Sequence, residues 1–171
     1  DSENELKEII SIANSSNKKV VVYLSMCFGN PYGDPWNLNI VNHWVCKLSK
    51  MGVKIISLSD TIGTSNPESI KSIFNSVLKN HSDIEFGAHL HSDPNTWHEK
   101  IQSAYEAGCR RFDGAIKGFG GCPMASDEMV GNMPTEKIIS FLNANKISYN
   151  LNPIRFESCH NQSLELFNQY H

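Results

Sequence analysis

The chain has 171 residues, 40% of them hydrophobic and 19% charged, with a formal net charge of −3, the size and balance of one soluble globular domain with a sizeable core. The acidic balance, with Arg110-Arg111 as its only basic doublet containing arginine, argues against a nucleic-acid binder, and no apolar run approaches the roughly 18–20 residues of a membrane helix. Five cysteines, at 27, 46, 109, 122 and 159, are odd in number and lack CxxC spacing, which fits a reducing compartment better than a disulfide framework.

A first helix is predicted over about Glu3–Asn14, with Ser2 as N-cap and Glu5 as its capping-box partner. The β-branched run Val20–Met26 reads as a strand. Beyond the turn-rich segment 29–35, a helix carries Leu38, Val41, Trp44, Val45 and Leu48 on one face and ends at Gly52. A second strand, Val53–Leu58, leads into Ser59-Asp60-Thr61-Ile62-Gly63. Asn66 then caps a helix with Pro67 at its first position and Ile70, Ile73, Phe74, Val77 and Leu78 on its apolar face. A third strand, Ile84–Leu90, precedes a helix near Thr96–Ala107 that buries Trp97, Ile101, Ala104 and Tyr105. A fourth, Arg111–Ile116, precedes a glycine-rich loop and a helix Thr135–Asn143 facing inward through Ile138, Ile139 and Leu142. The tail from Tyr149 is polar, with a last short helix expected at Ser163–Tyr170. The three tryptophans (36, 44 and 97) are read as core rather than ligand-binding residues.

Strand starts near 20, 53, 84 and 111 recur at the spacing of a βα repeat, so the fold class is α/β with a parallel sheet of about four βα units. The chemically special residues all follow strands, where sites of parallel α/β folds lie. His89 and His91, two apart on a strand, point the same way with Cα atoms roughly 7 Å apart, and two imidazoles so placed can converge on one ion. An amide oxygen, as from Asn132, would add a donor suited to a borderline or hard cation. Cys122, in Gly120-Gly121-Cys122-Pro123, is a candidate proton donor or acceptor on a mobile loop. Asp60 could orient a ligand, hold a proton or cap a turn, and Lys117 could meet an anionic group. Cys27, Cys46 and Cys109 lie on or beside apolar runs and read as inert; His43 and His98 read as ordinary surface or packing residues.

The run Gly118-Phe119-Gly120-Gly121-Cys122-Pro123-Met124-Ala125, followed by Gly131-Asn132-Met133-Pro134-Thr135-Glu136, resembles the signature of the 3-hydroxy-3-methylglutaryl-CoA (HMG-CoA) lyase family. Gly29-Asn30-Pro31-Tyr32, Ser57–Gly63 and His89-Leu90-His91 match in the same order, over about residues 20–143. The resemblance implies the C-terminal half of a TIM (β/α)8 barrel over residues 1–148, with residues 149–171 as a polar tail. It implies cleavage of HMG-CoA to acetyl-CoA and acetoacetate by a retro-Claisen reaction, as in leucine degradation and ketone-body formation. Carried over by position, His89, His91 and Asn132 would be ligands of Mg2+ or Mn2+. Cys122 would be the loop-borne acid/base, Asp60 and His89 would stand at the reacting centre, and Thr61 and Lys117 would bind substrate. The substrate would be an acyl-CoA, and the compartment cytoplasmic in a bacterium or the mitochondrial matrix in a eukaryote.

The chain departs from the family pattern at three points. Ser92 stands where the family has Asp, with Asp93 following. The segment Ser126–Val130 is one residue longer and lacks a glycine. The first half of the family's barrel, which supplies an Arg and a fourth, Asp ligand, has no counterpart here, so the chain alone is expected to be inactive and to form a homo-oligomer or associate with the missing half. The rival readings are a related aldolase or acyl-CoA condensing enzyme, a non-catalytic flavodoxin-like binding domain, and an inactive fragment.

Overall fold

A computed structural model describes residues 2–120 and 130–168. The elements run α1 (Ser2–Ser15), β1 (Val21–Leu24), α2 (Leu38–Lys50), β2 (Ile55–Ser59), α3 (Pro67–Asn80), β3 (Glu85–His89) and β4 (His91–Ser92). They continue with α4 (Trp97–Glu106), β5 (Arg111–Phe112), a 3-10 turn (Ile116–Gly118), β6 (Gly131–Asn132), α5 (Thr135–Ala144) and α6 (Pro153–Phe167). Strands β1, β2, β3 and β5 form one parallel sheet in that spatial order, and β4 pairs antiparallel with β6. Strand order equal to chain order is barrel winding. A flavodoxin-like sheet reverses direction at a switch point, so the topology removes that rival.

The register explains the layers. Leu24, Leu58, Ala88 and Phe112 lie side by side across the four strands, and Leu58 and Ala88 are buried in the core against the helices. The neighbouring row, Tyr23, Ser57, Gly87 and Arg111, faces the opposite side. Gly87 is needed there, because a Cβ would stand 2.9 Å from Arg111 Cδ and 3.2 Å from Ser57 Oγ. One face of the sheet is thus apolar and helix-covered, the other polar. Helix α3 carries much of the core through Ile70, Ile73, Phe74 and Val77; Asn66 caps it as expected, and the structure adds a capping box, Asn66 Oδ1 accepting from Ser69 N–H and Ser69 Oγ accepting from Asn66 N–H.

Several expectations are corrected. Helix α1 takes in Ser2, so Ser2 is not its cap. The fourth strand stops at Phe112 instead of running to Ile116, because the chain there turns under β6. Gly114 approaches Met133 so closely that a Cβ would lie 2.7 Å from the Met133 carbonyl oxygen, and Lys117 adopts φ +57°. Trp36 and Trp44 are 36% and 40% exposed, not core; the Trp36 indole N–H donates to the Cys27 carbonyl. On α5 the buried residues are Ile138 and Phe141, with Ile139 and Leu142 only partly covered. Helix α6 begins ten residues earlier than expected, at Pro153 after an Asn152 cap.

Candidate active site

Main-chain bonds carry the sheet past its strand ends and gather the site on one rim. Cys27 N–H donates to the Ser59 carbonyl, Asp60 N–H to the His89 carbonyl and Asp113 N–H to the Ala88 carbonyl, at 3.1, 2.9 and 3.0 Å. The loops after β1 and β2 are joined by Thr61, whose hydroxyl oxygen accepts from Met26 N–H at 2.9 Å. Thr61, expected as a substrate contact, here serves that junction.

His91 is buried, and its Nδ1–H donates to the Asp60 carbonyl at 2.5 Å. A carbonyl can only accept, so Nδ1 carries a proton, and Nε2 is the ring nitrogen left to meet another group, the arrangement by which a second partner orients a ligating histidine. His89 lies beside it, ring centroids 5.4 Å apart and nearly perpendicular, and its buried Nδ1 has no hydrogen-bond partner among the described residues. Burial first, and His91 second, hold the His89 pKa below the usual imidazole value of 6.5, against the opposing pull of Asp113 and Asp60. Its ring is therefore neutral near pH 7.

Asn132 is the cross-strand partner of His91 in the β4–β6 ladder, and directly opposed residues project from one face. Its Nδ2 donates to the Phe119 carbonyl at 3.0 Å, and its main-chain N–H to the Gly120 carbonyl. The turn at Gly118 makes this possible: with φ +69°, its missing Cβ would lie 2.7 Å from the Asn132 carbonyl oxygen. Among the described residues, no three His, Cys, Asp or Glu side chains gather as a metal-binding group. Two imidazoles and an amide oxygen are nonetheless a donor set that fits a divalent cation such as Mn2+ or Mg2+.

Asp60 enters this arrangement differently from the expectation. Its carboxylate is 1% exposed, accepting from Ser65 N–H, from Ser65 Oγ at 2.5 Å and from Lys100 Nζ at 3.2 Å. It acts on His91 through its main-chain carbonyl and does not present its carboxylate to the rim. Lys117 is exposed on the 3-10 turn, its N–H held by Glu136 Oε2; it shares with Asn132 and Trp97 a cavity of about 500 Å3 that His89 and His91 do not line. Asp93 does not take the place of the family's Asp after the second histidine. It accepts from Asn95 N–H, Thr96 N–H and Thr96 Oγ, folding the turn that starts α4. Cys122 lies outside the described residues.

Sequence reading missed three residues at this rim. Tyr23 packs edge-on against His89, centroids 5.4 Å apart. Asp113 accepts from Ser57 Oγ at 2.6 Å; with desolvation the larger cause, its charge also raises the Tyr23 phenol above its ordinary 10.0. Their signal was positional, since strand alternation puts Tyr23, Ser57 and Asp113 on the polar face. Lys100 carried no such signal, sitting among apolar positions of α4.

The sequence matches the HMGL-like family model over residues 1–162. It is 31% identical over 146 residues to the hydroxymethylglutaryl-CoA lyase of Bacillus subtilis, covering 85% of this chain and 48% of that one. It is 33% identical over 143 residues to the cytoplasmic 3-hydroxy-3-methylglutaryl-CoA lyase of Rattus norvegicus, covering 84% and 41%. The structure aligns with the Bacillus subtilis HMG-CoA lyase at a TM-score of 0.86 and 29% identity, over 95% of this chain and 54% of that one. An HMG-CoA lyase from Acinetobacter baumannii, in complex with coenzyme A and 3-methylmalate, aligns at 0.74 and 28% identity, over 86% and 48%. The chain thus spans about half the length of the curated relatives it matches, along the α/β architecture of those lyases. On the extent of the family match and the shared fold, the chain belongs to the HMGL-like family.

Proposed function

We propose that this chain carries the His-His-Asn part of a divalent-metal site in a carbon–carbon lyase that cleaves HMG-CoA to acetyl-CoA and acetoacetate. The carrying observation is His91, with its Nδ1–H fixed on the Asp60 carbonyl, His89 beside it and Asn132 opposite it on β6. Likeness to HMG-CoA lyases, one in complex with coenzyme A, supports the acyl-CoA substrate. When bound, Mg2+ or Mn2+ would polarise the substrate's C3 hydroxyl and ease its deprotonation.

The chain's own residues then have defined tasks. His89 and His91 would offer ring nitrogens, and Asn132 its amide oxygen, to hold that cation. With Cys122 as the proposed acid/base, its thiolate takes the hydroxyl proton, the C2–C3 bond breaks to leave acetoacetate and the carbanion of the acetyl thioester, and the thiol so formed returns that proton to the carbanion, giving acetyl-CoA and the thiolate again. Tyr23 and Asp113 line the polar face leading to His89.

The test is Mn2+ binding followed by electron paramagnetic resonance, with His89→Ala and Asn132→Ala beside the wild type. One Mn2+ per chain is expected, weakened about 10–100-fold or more in each variant, since even outer partners of ligands have effects of that order. A wild-type chain that binds no Mn2+, or a His89→Ala variant that binds it equally, would overturn the metal-site reading. Assaying acetoacetate release against condensation with a 2-oxo acid separates the lyase from a related condensing enzyme.

A further inference from the structure

Lys100 lies on the face of α4 that packs against the sheet, flanked by Trp97, Ile101 and Ala104, and is 3% exposed. An ammonium ion taken out of water is strongly disfavoured unless each of its three donors is used. Here all three are: Nζ donates to Asp60 Oδ2 at 3.2 Å, to the Gly63 carbonyl at 3.0 Å and to the His91 carbonyl at 2.8 Å. The Asp60 main chain in turn accepts from His91 Nδ1–H. Lys100, Asp60 and His91 therefore close a ring in which His91 is gripped twice, at its own carbonyl by Lys100 and at its imidazole by Asp60.

We propose that Lys100 is a positioning residue for His91, setting the direction of its Nε2 lone pair without touching substrate or ion. The inference rests on the reading of His91 as a cation ligand. Two features separate it from simple charge neutralisation. A cation needed only to balance Asp60 would not have to reach the main chain of His91, yet the shortest of its three bonds goes there. The Gly63 bond also ties the turn after β2 to the same ammonium, so the loops after two neighbouring strands meet at one atom.

The test compares Lys100→Met with the double variant Lys100→Met/Asp60→Asn. The single variant leaves a buried carboxylate without its cation and is expected to lose stability. The double variant removes that charge, while the main-chain carbonyl of residue 60 stays in place. If Lys100 positions His91, the double variant regains its melting temperature but still binds Mn2+ about tenfold more weakly than wild type, the order seen when a ligand loses an outer partner. Its His91 imidazole 15N resonances should also depart from a pure Nδ1–H tautomer. A double variant with wild-type Mn2+ affinity and unchanged His91 resonances would overturn the proposal. Wild-type protein titrated with Mg2+ gives a check without substitution: the Lys100 ammonium and His91 imidazole signals should shift together, and movement of His91 alone overturns the link. Failure of the wild type to bind Mn2+ or Mg2+ at all would instead remove the cation-site reading beneath it.

Discussion

Cys27 and Cys109 show how strongly position decides a residue's chemistry. Both are buried, and desolvation pushes each thiol up to about 12, hydrogen bonds from the surrounding main chain offsetting only part of it. Thiolates react and thiols do not, so both should be inert in the native protein. Iodoacetamide labelling at pH 8, read by peptide mass spectrometry, should mark exposed Cys159 and reach Cys27 and Cys109 only in denaturant. The same burial makes stability pH-dependent. In the unfolded chain these thiols ionise near 9.0, whereas the folded values are raised, so their contribution is complete below about pH 9 and is lost as pH climbs toward 12. Urea melts should therefore show a lower midpoint at pH 10 than at pH 8, and an unchanged midpoint would count against the assignment.

Among the elements, α3 joins local and tertiary preference most clearly. The Asn66-Pro67 start and the apolar face 70–77 agree, and Phe74 at its centre is fully buried. Phe74→Ala should destabilise the fold by about 3–5 kcal/mol, the range for a buried aromatic cut back to alanine, as measured by urea unfolding; a change under about 1 kcal/mol would mean the core is not organised around this helix. That helix was readable because its signals lie within a few residues of one another. Helix α6 has the same Asn-Pro start at Asn152-Pro153, but it buries no residue fully, and without an apolar stripe the start signal alone did not stand out. Lys100 was illegible for the opposite reason. Its partner Asp60 is 40 residues away, and a lysine on an apolar face reads as a solvated edge until the fold brings a carboxylate beneath it. His89, His91 and Asn132 were legible as a group because strand alternation and the glycine-rich segment are local patterns. The role of the Asp60 main chain was not, since every residue has a carbonyl.

At the scale of the molecule, the parallel sheet ends at β1 on one side and β5 on the other, and unpaired strand edges promote association. Half-exposed Tyr23 and the exposed indoles of Trp36 and Trp44 line the cavity beside β1, adding apolar area there. Sedimentation velocity at tens of micromolar should accordingly report a mass above the 19.2 kDa of one chain, falling on dilution; a monomer at all concentrations would show that these edges are protected. The way His91 is oriented also bears on how such a site changes over generations. Its acceptor is a peptide carbonyl, supplied by whatever amino acid occupies position 60. Drift in the side chain there is tolerated by that bond, and side-chain scanning would pass over it. Insertions or deletions between β2 and α3 would not be tolerated, because they would move the peptide itself. That bond is therefore indifferent to the side chain at position 60, whose carboxylate Lys100 and Ser65 need for their own reasons, and fragile to changes in chain length at the same point.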